Sequence, residues 1–303
     1  MNAPVVIFTY NRPQHTQAVL NALNIAQGAT NTDVYIFSDA ARNKADIEKV
    51  NQVRNIDYSQ YHFKSIHIVE RKENIGLANN IIDGLNTIFK EAEQAIVLED
   101  DIVVSSGFLN YMNAALSFYE KKNVFSISGY TPNVHIPTNY KYSTYPILRN
   151  CSWGWATWRN RWLTVDWNVT NFNIFIRNKK ARNKFNLAGS DLSAMLLRWR
   201  MGEINSWSIR FCYAAFCQNA TTIYPTMSLV RNIGADGSGS NVGNTSKYIS
   251  TIATDINSSL FCPDTENINK TILLSFRRTY NCSFIRRCIN HLKRWLYIIM
   301  HKK

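Results

Sequence analysis

Residues 95–101 read Ala95-Ile-Val-Leu-Glu-Asp-Asp101, an apolar run followed at once by three carboxylates. Short apolar runs of this kind are typical of buried strands in parallel sheets. Three adjacent carboxylates repel one another unless a cation or solvent separates them. Because open α/β sheets bind ligands beyond the carboxyl ends of their strands, the position favours a cation site over a solvated acidic loop. Such oxygen donors suit Mg²⁺ or Mn²⁺.

The segments before this motif alternate strand and helix patterns. Their strand candidates begin about thirty residues apart, the length of one strand, crossover and return. Apolar residues before the acidic motif fall on one helical face and predict a helix over Leu77–Ala92. The alternation predicts an α/β fold with a mostly parallel sheet flanked by helices. The strand candidates are Val5–Thr9, Val34–Phe37, Ile66–Val69, Ala95–Leu98 and, further on, Val124–Ser128.

Polar side chains also follow the first two strand candidates. Arg12 is suited to a phosphate or to stacking on a base, and Asp39 can accept a hydrogen bond from a base or ribose. We expect both to share one edge of the sheet with the acidic motif. A later polar, Gly-rich segment, Asn232–Asn241, predicts a functional loop.

The positive charge is concentrated at one end of the sequence. The formal charge is +13, from 34 Lys and Arg against 21 Asp and Glu, but eight of these basic residues and no acid lie between Phe276 and Lys303. From Asn281 to Met300, apolar residues recur every three and four positions, with Arg and Lys on the other face. This pattern predicts a basic amphipathic helix on an anionic membrane surface; the alternative is a terminal helix packed on the domain. Without a recognition motif, the charge does not indicate nucleic-acid binding.

Five blocks of residues, taken in order, carry a resemblance to a known family. They are Val5-Val-Ile-Phe-Thr-Tyr-Asn-Arg-Pro13, Arg71-Lys-Glu-Asn-Ile-Gly-Leu-Ala78, Val97-Leu-Glu-Asp-Asp101, Ser152-Trp-Gly-Trp-Ala-Thr-Trp-Arg159, and Tyr224-Pro225 followed by Asn232-Ile-Gly234. Together, over roughly Pro4 to Gly239, they look like a GT-A-fold glycosyltransferase. Within that superfamily the chain resembles bacterial family-2-like sugar transferases, and more distantly the eukaryotic N-acetylglucosaminyltransferase with an E-D-D metal motif.

The resemblance implies a Rossmann-like GT-A fold and a metal-dependent, inverting transferase that takes a sugar from a nucleotide-sugar, with a UDP-sugar expected. The acceptor would be a glycan or a lipid-linked glycan in surface polysaccharide biosynthesis. Asp101 would bind Mn²⁺ or Mg²⁺ at the donor diphosphate. The donor nucleotide and sugar would be contacted by Thr9, Asn11, Arg12, Asp39, Arg71, Asn74, Leu77, Glu99 and Asp100. The loop that closes over the donor would contain Asn232, Gly234, Asp236 and Gly237.

The resemblance does not place the catalytic base. Related transferases carry an acid in a late tryptophan-containing segment, whereas the matching Asn205–Phe211 has none. Glu203 is the first candidate because it lies near Trp207, although a surface helix charge explains it equally well. Asp191, Asp166 and the loop residue Asp236 are further candidates. Most of the tryptophans between Trp153 and Trp167 should be packed, with one exposed ring free to stack on a sugar.

We divide the chain into a GT-A domain over residues 1–260 and a basic extension over 261–303 with the membrane-associating helix. No secretory-signal pattern occurs in Met1–Tyr10, so a cytoplasmic protein on the inner face of the cell membrane is expected. A non-catalytic sugar-binding or membrane scaffold derived from a transferase stays open. A sugar-phosphate nucleotidyltransferase would need a Gly-rich loop after the first strand, and Phe8–Pro13 contains no glycine.

Overall fold

The computed structural model describes residues 2–234, 248 and 250–301. Its strands are β1 (Val5–Thr9), β2 (Asp33–Ser38), β3 (Ser65–Glu70), β4 (Gln94–Glu99), β5 (Ile102–Val104), β6 (Val124–Ser128), β7 (Thr144–Ile147), β8 (Trp155–Trp158), β9 (Thr221–Pro225) and β10 (Val230–Asn232). Its α-helices are α1 (Pro13–Asn24), α2 (Ile47–Arg54), α3 (Gly76–Ile88), α4 (Phe108–Tyr119), α5 (Arg159–Trp162), α6 (Phe172–Arg177), α7 (Lys179–Phe185), α8 (Leu192–Arg200), α9 (Trp207–Cys217), α10 (Lys270–Tyr280) and α11 (Phe284–Met300).

The centre of the molecule is an eight-stranded sheet in the order β3-β2-β1-β4-β8-β6-β9-β7. The run from β3 to β4 is parallel throughout, and β6 also runs parallel to β9. Strands β8 and β7 enter antiparallel to their neighbours. The structure confirms the expected α/β class with a mostly parallel, helix-flanked sheet, and its layout is consistent with a GT-A fold. All five strand predictions lie within one residue of strands β1, β2, β3, β4 and β6 at either end.

Both faces of the sheet are covered, which explains why its central strands are apolar runs. In β1, Val5 and Ile7 point into one apolar cluster with residues of α1 and α4. Val6 and Phe8 alternate with them and point into a second cluster with α3 and α9. A strand buried on both sides gains from apolar residues at every position, because successive side chains point to opposite faces.

The helix predicted over Leu77–Ala92 begins one residue earlier, at Gly76, and ends at Ile88. The chain then continues as a turn in which the N–H of Ala92 donates to the carbonyl of Ile88 at 3.0 Å. The amphipathic pattern continues through this turn because Phe89 is also buried in the core. Periodicity therefore located the buried face correctly and overestimated the length of the helix.

The tryptophan block forms a packed aromatic layer as expected. Trp155 stacks on Trp207 with ring centroids 4.8 Å apart, and Trp162 is buried beside them. Trp153 is half-buried and lies edge-on to Tyr130. The block therefore has a buried part and one ring, Trp153, that reaches the surface of the cavity described below.

The two last helices differ in their packing. Helix α10 buries Ile272 and Phe276 completely, in a cluster with Tyr145 and Tyr224 of the sheet. Helix α11, predicted over Asn281–Met300, runs from Phe284 to Met300 and lies against α6 and α8. Among the described residues, no helix combines the length and the apolar character that crossing a bilayer requires.

Candidate functional site

A cavity of about 990 Å³ opens at the carboxyl ends of β1, β2 and β4. Parallel strands end at the same edge, so the loops that follow them meet there. Most of the site residues expected from the sequence line this one cavity. They are Thr9, Asn11, Arg12, Asp39, Asn74, Leu77, Glu99, Asp100, Asp101, Glu203, Asn232 and Gly234.

The acidic motif forms the floor of the cavity and is paired with one cation. Glu99 ends β4, and Asp100 and Asp101 follow it as buried side chains. Arg12 makes a close ion pair with Asp100, and its Nη1 lies 3.0 Å from Asp101 Oδ2. Two carboxylates thus share one guanidinium, an excess of negative charge that a bound cation would offset.

The environment favours neutral Glu99 over its carboxylate. Burial raises the pKa of Glu99 well above its usual range, and the charges of Asp101 and Asp100 raise it further. Burial also raises the pKa of Asp100, although the positive charge of Arg12 opposes that rise. The same two aspartates raise the pKa of Arg12 against the lowering effect of burial, which keeps the guanidinium charged.

Asp101 has the free oxygen that a metal ligand needs. Its Oδ1 is buried and has no hydrogen-bond partner, which is costly for a charged oxygen unless a ligand satisfies it. No cluster of three His, Cys, Asp or Glu side chains arranged to hold a metal occurs within residues 2–234, 248 and 250–301. Mg²⁺ and Mn²⁺ commonly take only one or two protein carboxylates and complete their shells with water and phosphate oxygens. The residues present therefore fit such an ion.

Strand β10 brings the start of the expected donor loop against the acidic motif. It pairs antiparallel with β5, and the N–H of Ile233 donates to the carbonyl of Asp101 at 2.9 Å. A β-carbon on Gly234 would collide with Asp101 Oδ2 and lie 2.8 Å from Arg12 Nη1, so a larger residue here would displace the Asp101 and Arg12 side chains. Asp236 and Gly237, together with the rest of the segment up to Asn241, lie outside the described residues.

Asp39 lines the cavity but also fastens two elements together. Its Oδ1 accepts the N–H groups of Ala40 and Ile75 at 2.9 and 3.0 Å, and its Oδ2 accepts that of Gly76 at 2.9 Å. These bonds hold the N-terminus of α3 to the end of β2. Each carboxylate oxygen has two acceptor sites, so Oδ2 can still accept one hydrogen bond from a ligand.

Asn11 is held in place by a residue that the sequence analysis did not single out. Asp46 accepts hydrogen bonds from Asn11 Nδ2 at 2.7 Å and from the Tyr10 hydroxyl at 2.9 Å. Asp46 and Arg42 line the cavity themselves. The available signal was the polar stretch after β2, which follows the same strand end as Asp39. Thr9 also lines the cavity, with a buried hydroxyl that has no partner.

Arg71 does not line the cavity, although the resemblance placed it beside the nucleotide. Its Nε donates to Asn80 Oδ1 at 3.0 Å and its Nη2 lies 2.6 Å from Asp83. The guanidinium also covers the ring of Phe37. Arg71 is therefore linked to the cavity lining by its hydrogen bond to Asn80, which does line the cavity.

The candidate bases occupy three different environments. Glu203 lines the cavity, but Lys293 Nζ lies 2.6 Å from its Oε1 and Arg198 Nε 3.2 Å from its Oε2. The hydrogen bond from Lys293 lowers the pKa of Glu203, which makes it a weaker base. Asp191 does not line the cavity, because Arg149 holds both its oxygens at 2.8 and 3.0 Å. Asp166 caps a turn by accepting from Asn168 and Thr170, also outside the cavity.

The chain matches no protein-family profile. Residues 1–349 of TarS from S. aureus match at 14% identity and a TM-score of 0.39, over 75% of this chain and 60% of that one. A longer TarS structure matches at 13% identity and a TM-score of 0.37, over 75% of this chain and 37% of that one. A cytidylyltransferase from Leptospira borgpetersenii matches at 10% identity and a TM-score of 0.33, over 55% of this chain and 64% of that one. This chain therefore spans less than two thirds of the length of each, and its functional interpretation rests on its own cavity.

Proposed function

We propose that the chain is an inverting glycosyltransferase that transfers a sugar from a nucleotide-sugar, with a UDP-sugar as the expected donor. One observation carries the proposal: Arg12, Asp101 and Gly234 come from three separate segments and meet at the carboxyl edge of the sheet, as a nucleotide-diphosphate site requires. The expected acceptor is a glycan or a lipid-linked glycan of a surface polysaccharide. We place the enzyme in the cytoplasm, at the inner face of the cell membrane.

Asp101 would hold Mn²⁺ or Mg²⁺ through its unpartnered Oδ1. When bound, such an ion neutralises charge on the departing diphosphate. Arg12 is a second cation at the same place: a metal ion would compete with it for Asp101, and a diphosphate would compete with Asp100 and Asp101 for Arg12. The unpartnered hydroxyl of Thr9 and the free acceptor site on Asp39 are available to the nucleoside.

Transfer with inversion is a single displacement. The acceptor oxygen forms a bond to the anomeric carbon while the bond to the diphosphate oxygen breaks, and the hydroxyl proton passes to a base. Glu203 would have to leave Lys293 and Arg198 before it could accept that proton. The half-buried ring of Trp153 lines the cavity and offers an apolar face to a sugar.

The paired state of Glu203 keeps one alternative open, a non-catalytic protein that binds nucleotide-sugars or membranes. A nucleotidyltransferase is less well supported, because β1 is followed by Tyr10, Asn11 and Arg12 without a glycine phosphate loop. A turnover assay distinguishes the enzyme from a non-catalytic binding protein, whereas a binding assay alone does not.

Titration of UDP into the full chain, with and without Mn²⁺, tests the site. We expect Mn²⁺ to strengthen UDP binding, and Asp101→Ala to lose roughly a hundredfold in Mn²⁺-dependent affinity because it removes the free carboxylate oxygen. Asp57→Ala is the matched control, since Asp57 is an exposed aspartate outside the cavity. Equal UDP affinity in Asp101→Ala and the unmodified chain would contradict the assignment.

A further inference from the structure

Helix α11 packs on the domain through its more polar side. Tyr297 is the anchor: it is 4% exposed, its ring meets Phe172 edge-on at 5.5 Å, and its hydroxyl donates to Asn173 at 3.2 Å. Lys293 adds the ion pair with Glu203. The residues of α11 that are buried or half-buried recur every three or four positions and form one stripe: Asn290, Lys293, Arg294, Tyr297 and Ile298.

The apolar side of α11 faces away from the protein. Leu292 is 55% exposed and Trp295 54%, values that are unusual for large apolar side chains with a domain beside them. None of the residues on this side is charged. The exposed apolar residues of the helix are Phe284, Ile285, Cys288, Ile289, Leu292, Trp295, Leu296, Ile299 and Met300. Helix α11 therefore packs on the domain, as the alternative to a membrane helix expected, but it does so with its apolar side left exposed.

The charges around this face indicate what covers it. Arg286 and Arg287 are exposed on the helix, and no Asp or Glu occurs after Glu266. A second copy of the same helix would bring like charges together with no acid to pair them. An anionic lipid surface offers both an apolar interior for the Trp and Leu side chains and negative headgroups for the Arg side chains.

We infer that α11 lies in the headgroup region of an anionic bilayer, with its apolar side inserted and its packed side holding the domain at the surface. The ion pair of Lys293 with Glu203, which lines the cavity, sets the cavity beside the membrane-bound helix. Glu203 is then a positioning residue for α11. If the proposed function holds, the cavity meets acceptors that are held in the membrane, which favours a lipid-linked glycan.

Co-sedimentation of the full chain with phosphatidylcholine vesicles, with and without phosphatidylglycerol, tests the inference. We expect binding to the phosphatidylglycerol vesicles that weakens with added salt. The double variant Leu292→Glu with Trp295→Glu should lose at least about tenfold in partitioning, the equivalent of about 1.4 kcal/mol. Leu163→Glu is the control, because Leu163 is 67% exposed on a different element. Neither α11 residue lies in the donor cavity, so UDP binding should stay unchanged and reports a folded protein.

Three results would overturn the inference. The first is equal vesicle binding by the double variant and the Leu163→Glu control, and the second is no binding to anionic vesicles by the unmodified chain. The third is a dimer of the unmodified chain that the double variant converts to a monomer without vesicle binding, which would assign the face to a second copy. All three can be distinguished from a failure of the proposed function, because vesicle binding requires no turnover.

Discussion

A single residue at the carboxyl edge of the sheet can both stabilise the fold and line the cavity, and Asp39 does both. Its carboxylate satisfies three backbone N–H groups, at residues 40, 75 and 76, while the residue also lines the cavity and its Oδ2 can accept one more hydrogen bond. Its position after a strand predicted a ligand contact. The hydrogen bonds from Asp39 to the start of α3 were not predictable. Ile75 and Gly76 are far from Asp39 in sequence and meet it only after the sheet has formed.

Substitution of Asp39 tests whether its hydrogen bonds to the start of α3 stabilise the fold. Asp39→Asn replaces one accepting oxygen by an amide NH₂, which then faces a backbone N–H instead of accepting from it. We expect a loss of about 1–3 kcal/mol in the free energy of unfolding, measured by denaturant titration. Asp57→Asn is the control, because Asp57 caps only an exposed turn. Equal stability of the two variants would show that Asp39 does not brace α3.

The candidate site was predictable wherever a residue directly follows a strand of the parallel half. Arg12, Asp39 and Asp101 follow β1, β2 and β4, and the topology alone brings them together. Arg71 and Asp191 do not line the cavity: each pairs with a residue, Asp83 or Arg149, that sequence spacing does not reveal. Ion pairs between distant segments are set by tertiary packing.

At the scale of elements, strands with a strong apolar run were predicted and the antiparallel insertions were not. Strand β8 lies between β4 and β6 although it follows β6 and β7 in the chain. The sequence of β8, Trp155–Trp158, indicates that the strand is buried but does not indicate which strands it pairs with. Helix α11 was predicted nearly to its bounds, whereas the side on which it docks was not, because Tyr297 and Lys293 find their partners on other elements.

The attachment of α11 should depend on the Lys293–Glu203 pair. Lys293→Met should raise hydrogen exchange of backbone amides in residues 284–300, and Lys293→Arg should restore protection because it keeps the charge. Arg286→Met is the control, since Arg286 is exposed on the same helix. Unchanged exchange in Lys293→Met would show that the ion pair does not hold the helix on the domain.

The Lys293–Glu203 ion pair also predicts how the attachment of α11 to the domain depends on pH. Lys293 and Arg198 lower the pKa of Glu203, so the pair is fully formed above the ordinary Glu value of about 4.3. Its contribution is lost as the pH falls through the lowered value. Protection factors of the backbone amides in residues 284–300, corrected for the intrinsic pH dependence of exchange, should therefore fall on the acid side in the unmodified chain, and this fall should be missing in Glu203→Gln.

At the scale of the whole molecule, the charge of +13 separates into two parts. The body of the chain is mildly basic and carries an acidic cavity, while the segment after Phe276 holds eight basic residues and no acid. The two parts meet where Lys293 of α11 pairs with Glu203 at the cavity. The structure thus joins the acidic cavity and the basic helix α11, which the sequence presents as unrelated features.

The measurement that tests the central claim most directly is release of nucleoside diphosphate by the full chain from a panel of nucleotide-sugars with Mn²⁺. We expect UDP to be released from at least one UDP-sugar, with release abolished by a chelator and in Asp101→Ala but retained in Asp57→Ala. Failure to release a nucleoside diphosphate from any donor, or release that neither chelation nor Asp101→Ala reduces, would contradict the assignment of this cavity as a metal-dependent glycosyltransferase site.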